Sequence, residues 1–314
     1  MTINSRMKHR AKSVVEALSR RLETDRIETD RVLAAVGGLN CRLAQLTPPA
    51  SLREAEFKVF SQWNEDGIIQ YLIDRIEMPT RTFVEFGVGD YSESNTRFLA
   101  SNNNWSGVII DSGVGHRDFV QRTELDWRFG VRAVTGFVTC ENVNNLIGGA
   151  GLSGDIGLLS IDVDGMDYWL LDAIEVVSPR ILVIEYNAMF GPDISVTVPY
   201  RPDFAWDKAH WSGVYLGASL RGLVSKAKEK GYMFVGCESH GVNAFFVRND
   251  VASGLQQVSV EEGFAPSVAP VARTAGGKLD LWKTQEQKLH EIADLPLLEV
   301  PEGEETTVGR LLRS

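Results

Sequence analysis

The sequence predicts an α/β fold: a mostly parallel, seven-stranded sheet covered by helices on both faces, ending in an antiparallel hairpin and preceded by N-terminal helices. Three observations predict it. From about residue 60 to residue 230, short apolar runs alternate with helical stretches. The first strong run, Thr82-Phe83-Val84-Glu85-Phe86-Gly87-Val88-Gly89-Asp90, breaks at two glycines spaced by one residue. Near the end, Tyr232–Cys237 and Val242–Arg248 flank only Glu238-Ser239-His240-Gly241. Strands that close in sequence pair as antiparallel neighbours.

In chain order, residues 9–46 carry Val14, Leu18 and Leu22, then Val32, Leu33 and Val36, a spacing that predicts an amphipathic helix or helix pair interrupted near Thr24 to Thr29. Such helices either pack on the domain or join two copies in a homodimer. Thr47-Pro48-Pro49-Ala50 marks a first boundary, giving an N-terminal extension over 1–49. Then come a helix over 66–76, strand 82–87, a helix over 94–101, strand 107–111 and a weaker strand near 131–138. A short helix at 142–146 precedes strand 156–162, a helix over 167–177 and strand 180–185. Residues 191–215 interrupt the rhythm with prolines and aromatics and read as a cap. A helix over 217–230 closes at Gly231 and feeds the hairpin. The main domain is 50–262. Residues 263–314 read as a C-terminal extension with one helix at 279–293.

Composition sets limits. The chain has 314 residues, 44% hydrophobic and 24% charged, enough for a sizeable core. A net charge of −10 argues against broad nucleic-acid binding, which needs a basic surface. Cys41, Cys140 and Cys237 lie far apart without metal-ligand spacing, which suits a reducing compartment. No apolar leader segment and no run approaching 18 apolar residues is present, so the reading is cytoplasmic, without a membrane span.

The glycine pair carries the first functional reading. About 22 residues beyond Gly89, a second apolar run ends in Asp111. α/β sheets hold nucleosides this way: glycines admit the ligand to the backbone, and an acid accepts from ribose hydroxyls. The alternatives are an ordinary strand-to-helix turn at Gly87 and Gly89, and a solvated loop acid at Asp111.

Four stretches stand out: Ser61-Gln62-Trp63-Asn64-Glu65-Asp66-Gly67; Phe83 to Asp90 with Ser94-Asn95-Thr96; Ser160-Ile161-Asp162-Val163-Asp164-Gly165; and Pro179-Arg180 with Val183-Ile184-Glu185-Tyr186-Asn187. In these the chain resembles class I S-adenosylmethionine-dependent methyltransferases, and among them the FkbM-type and related glycan-cluster enzymes. The resemblance spans roughly residues 60 to 250. It implies a Rossmann-like fold and S-adenosylmethionine as cofactor, with Glu85, Gly87, Gly89 and Asp90 along its amino-acid part and Asp111 on its ribose. Tyr91 stands where the common pattern has a third glycine, which puts the loop geometry in question.

Acids at the next strand ends supply candidate chemistry. Strand alternation sends Asp162 and Asp164 to one side, and Glu185 and Asn187 likewise. Crowded oxygens need a proton or cation between them, and hard oxygen ligands suit Mg²⁺ or Ca²⁺. Catechol-type O-methyltransferases are similar here, their metal holding the acceptor hydroxyls. The competing reading has Asp162 contacting the cofactor or capping a helix, and Glu185 binding acceptor directly. Asp167 fits an N-cap better than a ligand. His210, within the aromatic cap, and His240, in the hairpin turn, are candidate general bases against a structural role for each. The cap aromatics Tyr200, Phe204, Trp206, Trp211 and Tyr215 suit either a sugar acceptor or a satellite core.

The expectation is therefore an O-methyltransferase for a hydroxyl of a sugar or glycosylated metabolite, with Asp162, Glu185 and His210 as candidate catalytic groups. A non-catalytic scaffold of the same fold is the alternative. A nicotinamide oxidoreductase is disfavoured by the terminal hairpin.

Overall fold

The computed structural model describes the backbone of residues 3–268 and 272–311, and side chains at residue 21 and from residue 26 onward. The expected apolar residues Val14, Leu18 and Leu22 lie outside those side chains. Helix α1 (Ile3–Leu46) runs without the interruption expected near Thr24 to Thr29. No proline or glycine falls in that stretch to break the backbone ladder. Short α2 (Leu52–Ala55) and α3 (Glu65–Ile73) lead into β1 (Thr82–Phe86). Then come α4 (Arg97–Asn103), β2 (Ser106–Asp111), α5 (Gly115–Arg122), α6 (Leu125–Phe129) and β3 (Val131–Thr135). The two helices between β2 and β3 have no counterpart in the sequence reading.

The chain continues through α7 (Val143–Gly149), β4 (Gly154–Ile161), α8 (Asp167–Ala173) and β5 (Val177–Glu185). β6 (Val196–Thr197), α9 (Trp206–Ala209) and α10 (Leu220–Glu229) precede the hairpin β7 (Tyr232–Cys237) and β8 (Asn243–Arg248). The last elements are α11 (Val260–Gly263), α12 (Gln285–Glu291), β9 (Pro296–Glu299), β10 (Glu304–Thr307) and α13 (Val308–Leu311).

The main sheet has seven strands in the order β3-β2-β1-β4-β5-β8-β7. β1 to β5 pair in parallel, while β8 is antiparallel to both its neighbours, β5 and β7. This is the Rossmann-like sheet, mostly parallel with an antiparallel end, that the resemblance implied. Alternation along each strand divides the core between two faces. Val84 and Phe86 point to α7, α8 and α10, joining Val143, Leu170, Leu171 and Leu223. Phe83 points the opposite way, to Ile68, Ile69 and Leu72 of α3 and Leu99 of α4. Because β2 and β3 lie on one side of β1 and β4 on the other, the order reverses between β1 and β4. A crevice opens at such a reversal, beyond the carboxyl ends of the strands.

The segments expected as cap and as C-terminal extension share one structure. β6 pairs with β9, and β9 with β10, in a three-stranded antiparallel sheet. Phe190, Val196, Phe204 and Tyr215 pack there with Ala272, Leu289, Ile292 and Leu297. Two of the five cap aromatics, Phe204 and Tyr215, are thus core to this satellite layer. Tyr200 and Trp206 pack against it half-buried, and Trp211 is exposed. Among the described residues, no helix is long and apolar enough to cross a membrane.

Candidate functional site

The crevice is built first by the loop after β1. Gly87 has a φ of +73°, and its amide donates to the Ile110 carbonyl at 3.1 Å. A Cβ at Gly87 would lie 1.4 Å from the Asp162 carbonyl oxygen, so the loops after β1 and β4 touch backbone to backbone. Gly89 has a φ of +54° with open space where a side chain would be. Asp111, the last residue of β2, closes the far side: its carboxylate accepts from the Gly89 amide at 2.9 Å and the Gly113 amide at 2.7 Å. Asp90 accepts from the Ser92 amide at 2.8 Å and also borders the crevice.

Tyr91 resolves the missing third glycine. Its φ is +66°, so the backbone keeps the left-handed turn although a side chain is present. The ring is fully buried, edge-on to Phe119, with its hydroxyl 3.0 Å from Thr96 Oγ1. Packing offsets the strain of the turn, which is of order 1–2 kcal/mol.

Glu85 lines the crevice, and its oxygens also engage the loop that follows. They accept from the Asn95 amide at 2.7 Å, the Thr96 amide at 3.1 Å and the Thr96 hydroxyl. The carboxylate therefore holds the turn before α4. Burial pushes its pKa up to about 7, against the lowering effect of those bonds.

The acidic cluster follows a different local geometry from the one expected. β4 ends at Ile161, so strand alternation does not align Asp162 and Asp164. A turn does: Asp164 has a φ of +55°. Asp167 secures the turn by accepting from the Val163 amide at 2.9 Å and the Gly165 amide at 3.0 Å. Asp167 is the first helical residue of α8, with Met166 at the N-cap, so it grips the preceding loop and is not itself the cap. Burial raises its pKa to about 7.

The result brings one oxygen each of Asp162, Asp164 and Glu185 within 4.8 Å of one another. Glu185 Oε2 is buried without a hydrogen-bond partner. Burial, then the neighbouring Asp162, raises the Glu185 pKa well above the carboxylate range. Burial and Asp164 do the same to Asp162. The fourth expected ligand, Asn187, is committed elsewhere. Its Oδ1 accepts from the Met189 amide at 3.0 Å, and its Nδ2 donates to the carbonyls of Val214 at 3.1 Å and Leu216 at 2.9 Å. It ties the end of β5 to the cap, and the three acids stand without it.

Three cavities meet at these acids. One of about 430 Å³ is bordered by Trp63, Gly87, Gly89, Asn95, Asp162 and Asn243. A second, about 210 Å³, lies beyond Asp111, against Phe137, Tyr200, Arg201 and Phe204. The third, about 270 Å³, is bordered by Asp164, Glu185, Met189, Trp206, Arg273 and Leu279. Glu185 borders the first and third, Asp162 the first two, and Asp164 all three.

Neither histidine joins the acids. His210 borders none of the three cavities; its Nδ1 lies 2.7 Å from Ser212 Oγ and its ring lies against Trp211. His240 stacks on Trp63 with ring centroids 4.3 Å apart. Sequence reasoning assigned no role to Trp63, Asn243 or Arg273. The Ser61–Gly67 motif held a signal for the first two. Asp66 gathers the amides of Val59, Phe60 and Ser61, and Glu65 accepts from the Trp63 amide and from Asn243 Nδ2, both at 2.9 Å. Two buried acids thus build one wall of the crevice. Nothing in the local sequence marks Arg273.

No protein-family model matches the chain, and no curated protein matches it. Among solved structures it is similar to the pyocyanin biosynthetic protein PhzM, at 13% identity over 58% of this chain and 56% of that one, with a TM-score of 0.35. This chain thus spans 56% of PhzM's length. CurJ carbon methyltransferase aligns at 14% identity over 76% of this chain and 70% of its own, with a TM-score of 0.38. An O-methyltransferase from Bacillus cereus in complex with SAH aligns at 17% identity over 70% and 89%, also with a TM-score of 0.38. These are distant likenesses. The fold assignment rests on the strand order and pairing.

Proposed function

We propose that the protein is an S-adenosylmethionine-dependent O-methyltransferase, with the cofactor along the Gly87–Gly89 loop and the acceptor in the cavity between Glu185 and Trp206. One observation carries the reading: Asp164 and Glu185 of the acid cluster line both the glycine-loop crevice and that third cavity. Methyl transfer is an in-line displacement, so donor and acceptor must meet end to end. As the acceptor oxygen bonds the methyl carbon, the carbon–sulfur bond breaks and the hydroxyl proton leaves. The ionised member of the Asp162–Glu185 pair, its proton affinity raised by burial and by its neighbouring acids, is suited to take it.

The three carboxylates also fit a hard divalent cation such as Mg²⁺, since they offer oxygen alone and Glu185 Oε2 lacks a partner. Asp162, Asp164 and Glu185 would hold it, and a bound ion would lower the pKa of the acceptor hydroxyl. A sugar or glycosylated metabolite as acceptor is supported by the FkbM-type motifs and by the flat face of Trp206 in the cavity wall. The free thiols of Cys41, Cys140 and Cys237 support a reducing, cytoplasmic setting.

Calorimetric titration with S-adenosylhomocysteine tests the reading. Saturable binding is expected, and Asp111→Ala should weaken it about 10- to 100-fold, because hydrogen bonds to a charged group contribute about 1.5–3 kcal/mol. Absence of binding by the wild-type chain would favour a non-catalytic scaffold.

A homodimer through α1 is part of the same proposal. Val32, Val36, Leu39, Leu43 and Leu46 are exposed and repeat at intervals of four and three residues, as in a helix–helix seam. Sedimentation equilibrium should find a dimer that Leu39→Glu with Leu43→Glu converts to a monomer. A monomeric wild-type chain at tens of micromolar (roughly the range where dimers of about 1,600 Å² persist) removes this part.

A further inference from the structure

We propose that the acceptor carries an anionic group besides its reactive hydroxyl, and that Arg273 recognises it. The inference rests on the methyl-transfer reading for what enters the third cavity, and on the structure of that cavity for the charge. Arg273 borders the cavity, whose lining also includes Asp164 and Glu185. Its position is firm: the backbone amide donates to the Ser212 carbonyl at 2.8 Å, and the residue bridges to Leu279. The adjacent Ala272 is fully buried in the satellite core.

The guanidinium lies over the Trp206 ring, 5.4 Å from its centroid, and Trp206 borders the same cavity. A cation–π contact of this kind holds the charge near the ring while leaving N–H groups for a partner. Among the described residues, one guanidinium N–H is used, donating to the Gly277 carbonyl at 3.2 Å. Among the described residues, no carboxylate lies within ion-pair distance of it. The contrast with Arg201 is informative. Arg201, on the second cavity, is neutralised by Asp203 at 3.3 Å. In a chain with 42 acidic and 32 basic residues, a half-buried arginine on a cavity wall without a carboxylate is suited to an external anion. The planar fork matches carboxylate, phosphate or sulfate.

The opposite charges on one cavity lining, Arg273 and the acids, then impose a direction. An acceptor entering reversed would bring its anion against Asp164 and Glu185, where like charges repel. Entering correctly, it sets the anion on Arg273 and a hydroxyl beside the acids. Arg273 is thus a specificity residue, and the acids remain the reactive end.

The test uses the full chain, labelled S-adenosylmethionine and a small-molecule extract of the producing cells. The labelled product should bind an anion exchanger. Loss of retention after phosphatase, after sulfatase or after carboxyl amidation identifies the group. Arg273→Met should lower product formation about 30-fold at limiting acceptor, the equivalent of about 2 kcal/mol. Arg273→Lys should fall between, and both should bind S-adenosylhomocysteine like the wild type. An unretained product, or undiminished methylation by Arg273→Met, overturns the proposal. Inorganic sulfate titrated into ¹⁵N-labelled protein provides a readout without turnover: the Arg273 Nε–H signal should shift saturably, and a flat titration also overturns it. If S-adenosylhomocysteine fails to bind, the methyl-transfer reading falls, while the sulfate titration still decides whether Arg273 is an anion site.

Discussion

Replacing Glu185 by glutamine is expected to lower turnover by about 10²- to 10⁴-fold, the range for loss of a general acid–base group, while making the folded chain more stable at neutral pH. The two effects share a cause. Three carboxylates with oxygens inside 4.8 Å repel when ionised, and Glu185 Oε2 has no donor to offset its charge. Glutamine removes the charge with little change of shape. If about 1 kcal/mol of repulsion is relieved, the melting temperature should rise by roughly 2–4 °C.

The pH dependence has a definite sign. Burial and Asp162 raise the folded pKa of Glu185 above its ordinary 4.5, so the folded chain keeps a proton that the unfolded chain releases. That stabilisation is complete below pH 4.5 and is lost as pH rises through the folded value. Glu85 and Asp167, both pushed up to about 7 by burial, act in the same direction. The wild-type melting temperature should therefore fall between about pH 4.5 and 7, and Glu185→Gln should flatten the fall. Mg²⁺ should restore stability at alkaline pH to the wild type and less to the variant. Turnover of Glu185→Gln within a few-fold of wild type would show that these acids are not the reactive end.

Gly87→Ala should destabilise the fold by about 2–5 kcal/mol, summing the cost of a left-handed alanine with that of overpacking. The new methyl would meet the Asp162 carbonyl at 1.4 Å, and neither backbone can yield without moving the other loop. Asp162 would shift with it, so cofactor binding and turnover should fall together. Gly89→Ala is the control. It shares the left-handed turn but meets nothing within 4 Å, so about 1–2 kcal/mol is expected. Urea denaturation measures both. A Gly87→Ala variant no less stable than Gly89→Ala would contradict the backbone contact.

Which residues meet is a different question from which residues matter. Glu85 and Asp111 were both legible as acids at strand ends, because apolar runs stopping at a carboxylate are a local pattern. The structure separates them by what their oxygens touch. Glu85 is taken up by amides ten and eleven residues away, whereas Asp111 reaches the Gly89 amide at the crevice. Strand alternation pairs Asp162 with Asp164 and the neighbouring strand end adds Glu185; the three acids do meet, but through a turn held by Asp167. Asn187 matched the same alternation and was diverted into bracing the cap. His210 drew notice as one of few histidines, yet its segment carries the ring to Ser212 and Trp211.

Periodicity and glycine placement by themselves determined the parallel sheet, its closing hairpin and the crevice loop, since these depend on residues close in sequence. Only the tertiary structure decided that residues 191–215 and 272–311 form one layer, that Tyr91 can stand in for a glycine, and that Arg273 and the acids line one cavity. A strand or turn is specified by its own neighbours. The role of a charged group is specified by partners that may lie a hundred residues away, as Arg273 and Asp164 do.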